Sequence, residues 1–169
     1  VLLTIHFVKA ELMLAFLRDA NDSQSVLDIF ECLYLELRPD IFMELMPVIL
    51  TDNGSEFSNP KGLEYDRQGN LRTKIFYCDA SAPEQKGSIE RNHELIRYVL
   101  LKGTSFDQLT QMDITLLMDH INSYSRESLG NKCPYDMFEF LYGEKILQAL
   151  GCHKIAPNEV NLMPSLLKK

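Results

Sequence analysis

The sequence contains no tryptophan, only eight glycines and four cysteines, and fewer basic than acidic side chains: 17 against 24, for a net charge of −7. Each shortage excludes something. A chain this acidic is not a uniformly basic nucleic-acid binder. Cys32, Cys78, Cys133 and Cys152 are scattered, with no CxxC pair, so neither a zinc cage nor a disulfide framework is expected; reduced cytosolic thiols packed as small apolar groups are. No apolar run approaches the roughly 18 residues of a membrane span. The opening VLLTIHFVKAELMLAF is broken by His6, Lys9 and Glu11 and leads to no small-residue cleavage site, which makes it a poor signal peptide. It lacks an initial methionine and starts inside an apparent strand, so the chain reads as a fragment.

What is present suits a single domain with a core: 169 residues, 46% of them apolar. The charge is unevenly spread. Residues 1–51 hold three basic and eight acidic side chains, whereas residues 52–102 hold eight of each. That distribution permits phosphate contacts in the middle of the chain.

VLLTIHF and ELMLAFL predict an antiparallel hairpin closed by VKA. Val26, Ile29, Phe30, Leu33, Tyr34 and Leu37 recur at helical spacing, and Pro39 predicts a stop. A short turn around IFMELM then leads to PVILT, a run suited to a buried strand ending at Asp52. A Gly-Asn turn precedes another short strand at 74–78. Helices follow at 87–100, 110–124, 134–142 and 144–150, and the tail from about 151 to 169 is expected to be extended. No repeat or linker marks a second domain. This order suggests an α/β fold, a central sheet covered by helices.

Two carboxylates stand out. Asp52 lies where a strand gives way to the loop in LTDNGSEF, the place where open α/β sheets meet ligands; a plain Asp-Asn-Gly turn accounts for it equally well. Glu90, in QKGSIERNHELIR, falls in the first turn of a helix, where the dipole favours any carboxylate. Together, hard oxygen ligands at a strand end and on a following helix suit Mg²⁺ or Mn²⁺, and a pair of such ions supports phosphodiester chemistry. Lys86, Glu90, His93 and Arg97 share one helical face by spacing. Lys86, Arg91, Asn92, His93, Arg97 and Lys102 are candidate contacts to DNA phosphates, and Asn53 could orient either Asp52 or a phosphate. Glu56 reads as a surface or supporting acid, Asp79 as a turn residue, and Arg126 as a candidate DNA contact.

TDNGSEF, FYCDASAPEQKGSIERNHELIRYVLLKGTSFDQLTQ and HINSYSRESLGNKCPYDMF resemble the catalytic core of the IS-Thirty family of bacterial insertion-sequence transposases, over nearly the whole chain. The resemblance implies a retroviral-integrase-like core: a ribonuclease-H-like mixed sheet flanked by helices, here without its first strand. It also implies an Asp-Asp-Glu triad, in which Asp52 matches the second aspartate and Glu90 the glutamate, while the first aspartate falls upstream of Val1. Divalent Mg²⁺ or Mn²⁺, transposon-end and target DNA, a homo-oligomer and a bacterial cytoplasmic, nucleoid-associated setting are implied with it. Ala80, Glu84 and Leu101 depart from the family pattern. The activity implied is 3′-end cleavage and strand transfer; the alternative is an inactive remnant that only binds DNA or other subunits.

Overall fold

The computed structural model describes residues 1–78 and 87–167, with nothing assigned to the side chain of Ser88. Asp79, Ala80, Glu84 and Lys86 therefore lie outside the described residues. The elements run β1 (Leu2–Phe7), β2 (Leu12–Leu17), α1 (Ser23–Leu37), α2 (Pro39–Leu45), β3 (Val48–Thr51), α3 (Pro60–Glu64), β4 (Lys74–Tyr77), α4 (Gly87–Val99), α5 (Gln111–Asn122), α6 (Pro134–Tyr142) and α7 (Glu144–Ala149). This is a mixed α/β arrangement. Its described strands form two separate pairs, β1 with β2 antiparallel and β3 with β4 parallel, rather than the one central sheet expected. No described helix is long and apolar enough to cross a membrane.

The chain divides into two compact units, one of Val1 with Arg18–Pro83 and one of Leu2–Leu17 with Glu84–Lys169. In the first, α1 starts at Asp22, whose carboxylate accepts from the Ser25 N–H. Its buried stripe of Val26, Phe30, Leu33, Tyr34 and Leu37 is the one its spacing predicts. Pro39 does not simply stop a helix. It occupies the first turn of α2, where its missing N–H costs nothing, so IFMELM is helix rather than turn. Tyr34 and Phe42 meet edge to face at 5.2 Å between ring centroids. The short helix α3, capped by Asn59, has no counterpart in the sequence reading. β3 also differs from expectation: Thr51 is buried, but Val48 and Leu50 are 56% and 49% exposed. One face of this strand is bare because alternate side chains point to opposite sides.

In the second unit, Met13 and Ala15 of β2, Leu95, Ile96 and Val99 of α4, and Ile114, Leu117, Met118 and Ile121 of α5 form one apolar core. Leu162, Leu166 and Leu167 of the tail pack onto it. A capping box at Thr110 and Asp113 starts α5. Two amides of α5 then serve as substitute strand partners. Asn122 accepts from the Met13 N–H and donates to the Met13 carbonyl, and Gln111 accepts from Leu17 and donates to Ala15. These bonds satisfy backbone groups of β2 that would otherwise invite edge pairing.

Candidate functional site

Asp52 follows β3 directly and is exposed. Its Oδ1 accepts the Gly54 N–H at 3.1 Å, an Asx turn that holds the carboxylate at the strand end without help from elsewhere. Gly54 has an extended backbone, φ −61 and ψ 147, so its lack of a side chain is not a matter of dihedral freedom. A Cβ there would stand 2.5 Å from Glu56 Oε2 and 3.1 Å from Asp52 Oδ1. The glycine thus leaves a notch that both carboxylates border, which brings Glu56 beside Asp52. Asn53 is exposed in the same turn. Tyr77, at the end of β4, donates its hydroxyl to the Phe57 carbonyl at 2.6 Å and holds the far side of the loop.

Glu90 is exposed in the first turn of α4. On the opposite side of the helix, Asn92 is 1% exposed. Its Nδ2 donates to the Glu11 carbonyl at 3.0 Å and meets His6 Nδ1 at 3.2 Å, while its Oδ1 accepts from Arg126 Nη2 at 2.8 Å. Next to it, His93 Nε2 pairs with Thr4 Oγ1 at 3.1 Å. Thr4 and His6 lie on one face of β1, so two successive residues of α4 dock on alternate residues of one strand. The left-handed φ of 54° at Glu11, a strained value for a non-glycine residue, belongs to the same turn whose carbonyl Asn92 takes up.

Arg126 is 5% exposed. Besides Asn92, its Nη2 reaches the Ile121 carbonyl at 3.1 Å, and its guanidinium lies 5.7 Å from the centre of the Tyr124 ring. Nε and Nη1 are buried without a partner among the described residues. The phosphate contacts expected of Asn92 and Arg126 therefore give way to internal ones: both are sealed from solvent and spend hydrogen bonds on holding α4. Neither role is visible along the chain, since Asn92 lies 34 to 86 positions from Arg126, His6 and Glu11, which it joins.

The surroundings push His6 and His93 toward neutrality. Burial, then the neighbouring His93 and Arg126, lower the His6 pKa from 6.5 to about 4. Burial and Arg97 lower that of His93, against the pull of Glu90. A neutral His6 is what its bond to Asn92 requires, because an amide N–H needs a ring nitrogen with a free lone pair. On the solvent side of α4, Arg91 and Glu94 form a surface pair at 3.4 Å, and Arg97 and Lys102 are exposed. Lys86 lies outside the described residues. The four cysteines are free; Cys133 and Cys152 are buried, whereas Cys32 is exposed and so does not pack as an apolar group.

Among the described residues no group of three His, Cys, Asp or Glu side chains could hold a metal ion. The donors at hand still suit a hard divalent ion. Asp52 keeps one oxygen outside its turn, and Glu56 borders the same notch.

No family model matches the chain. It is 32% identical over 90 residues to a putative integrase of Spiroplasma virus SpV1-R8A2 B, an alignment covering 53% of this chain and 27% of that protein. It is 30% identical over 96 residues to the transposase for insertion sequence element IS30A of Escherichia coli K12, covering 57% and 24%. The transposase for element IS4351 of Bacteroides fragilis matches at 27% over 95 residues, covering 56% and 28%. The chain spans about a quarter of the length of the curated relatives it matches. The resemblance to this family is borne out, over about half of the chain rather than nearly the whole of it: there the chain is similar to IS30 transposases and to an integrase.

Proposed function

We propose that this chain, on the strength of that similarity, acts in DNA transposition as the catalytic core of a transposase that cleaves 3′ ends and joins them to target DNA. The observation that carries the reading is the agreement of several transposases and an integrase at about 30% identity. The two acids singled out by their positions are exposed, as groups that meet a substrate must be.

Asp52 and Glu90 would supply carboxylate oxygens to Mg²⁺ or Mn²⁺, with Glu56 a supporting acid beside Asp52. Bound there, such ions would lower the pKa of an attacking water or hydroxyl and would stabilise the leaving oxygen. The remaining work is positioning. The Asx turn presents Asp52 at the end of β3. The Asn92 and His93 bonds to β1 fix the rotation of α4 and so the direction in which Glu90 points. Asn53, Arg91, Arg97 and Lys102 are placed in solvent, where they would hold DNA through its backbone irrespective of sequence. By sequence position Lys86 joins the proposed DNA-contacting set, whereas His93 is engaged with Thr4, and self-association would let two copies pair two DNA ends.

The test is incubation of the chain, alone and extended by the coding sequence upstream of Val1, with labelled element-end DNA and Mg²⁺ or Mn²⁺. Metal-dependent nicking and joining that vanish in Asp52→Asn and in Glu90→Gln are expected. A folded, DNA-bound extended protein with no such products would overturn catalysis and leave association alone.

A further inference from the structure

Arg91, Glu94 and Tyr98 follow one another on α4 at i, i+3 and i+7, and Leu101 and Lys102 continue that face just beyond the helix end. Tyr98 and Leu101 are 53% and 57% exposed. Among the described residues no hydrogen bond, ring contact or cation holds the ring of Tyr98, nor that of exposed Tyr65, whereas Tyr34 is engaged by Asp66 and Phe42, Tyr77 by Phe57 and Tyr124 by Arg126. A bare aromatic face set among Arg91, Arg97 and Lys102 combines the two ingredients of an unpaired-strand site, a stacking surface and cations for the backbone. Glu94 faces Arg91 at 3.4 Å; an acid at that place disfavours a phosphate directly over the ring and leaves the ring to an uncharged group.

We infer that Tyr98 is a stacking platform for an unstacked nucleobase at a DNA end, with Arg91, Arg97 and Lys102 on the adjoining phosphates. The inference rests on the transposase reading for its DNA ligand and adds to it a preference for ends whose bases are unpaired. Tyr98 is eight residues beyond Glu90, a rise of roughly 12 Å along the helix. That spans about four nucleotides of one strand at ~3.4 Å each, so the base in question lies within a few nucleotides of the phosphate that Glu90 would address.

The test uses the whole chain and two short duplexes, one with an unpaired 3′ overhang containing 2-aminopurine and one fully paired. Fluorescence of the aminopurine reports stacking, and anisotropy reports affinity. The wild-type chain is expected to quench the overhang and to bind it more tightly than the paired duplex. Tyr98→Ala, a surface change, should lose the quenching and about fivefold to a hundredfold in affinity for the overhang, with paired-duplex binding unchanged. Tyr98→Phe should retain both. Equal overhang binding by Tyr98→Ala and wild type, or equal losses on both duplexes, would overturn the platform. Failure of the wild-type chain to bind either duplex would instead remove the DNA reading beneath it.

Discussion

Arg72 in the first unit and Arg126 in the second are both buried, and the two are treated differently. Arg72, 3% exposed in the first unit, spends every nitrogen: Nε on the Leu63 carbonyl at 2.9 Å, Nη1 on Glu31 at 2.8 Å and Nη2 on the Gly62 carbonyl at 3.0 Å. It also lies over the Tyr34 and Phe42 rings at 5.2 and 5.9 Å. Arg126, in the second unit, leaves Nε and Nη1 unpartnered. A buried cation repays its desolvation only when its donors are satisfied, so Arg72 is a structural rivet and Arg126 a costlier fixture. The carboxylates show the reverse order. Asp52 depends on one local bond to Gly54, whereas the helix that carries Glu90 is held by contacts from β1, the β1–β2 turn and the loop of Arg126.

The largest expected effect is that of Arg72→Met. It breaks a closed network and strands Glu31, whose side chain is 16% exposed. Breaking a buried pair costs about 3–5 kcal/mol, and the lower end applies because Arg67 stays within 3.3 Å of Glu31. Urea denaturation, with hydrogen exchange to show the loosening concentrated around α3 and β4, checks it; a loss below about 1 kcal/mol would contradict the rivet.

Acid should weaken the second unit next most. The His6 pKa falls from 6.5 to about 4 on folding, so the unfolded chain takes up its proton first as pH drops. Stability is therefore present in full above about 6.5 and is lost between about 6.5 and 4, by at most about 3 kcal/mol. His93 shifts in the same direction. Replacing His6 with Gln should flatten that part of the stability–pH curve. A curve that keeps its slope in the variant would clear His6 of the effect.

Arg126→Met should cost less than Arg72→Met, about 1–2 kcal/mol. The bonds to Asn92 and Ile121 go, but so does the burden of two orphaned N–H groups. Faster exchange in the first turns of α4, with α1 and β4 untouched, is the expected pattern. An effect as large as that of Arg72→Met would mean the orphaned groups are satisfied in solution.

The smallest effect belongs to Gly54→Ala. Its backbone suits any residue, and the methyl would meet only the flexible end of Glu56 and the edge of Asp52. Stability should change by no more than about 0.5 kcal/mol, while the Glu56 carboxylate is pushed from the notch. If the two acids share a divalent ion, Mn²⁺ affinity measured by titration falls; an unchanged affinity would exclude Glu56 from that role.

The helices were largely legible in the sequence. Apolar periodicity located α1 and α4 within a few residues, because each buries a stripe along its own length, and α5 through α7 fall close to where helices are expected. α2 was hidden by Pro39, since a proline can end one helix or begin the next, and α3 is too short to show a period. β3 looked buried because an apolar run does not say which of its faces is covered.

Local chemistry by itself determined that Asp52 sits at a strand end in a turn closed by Gly54 and that Glu90 opens a helix. Backbone propensity and neighbours within a few residues decide both. Only the tertiary structure decided that Asn92 and Arg126 face inward, that Gln111 and Asn122 stand in as strand partners of β2, and that Tyr98 is left bare. A polar side chain looks the same in sequence whether water or a distant carbonyl satisfies it, and that choice is made only when segments dozens of residues apart are packed together.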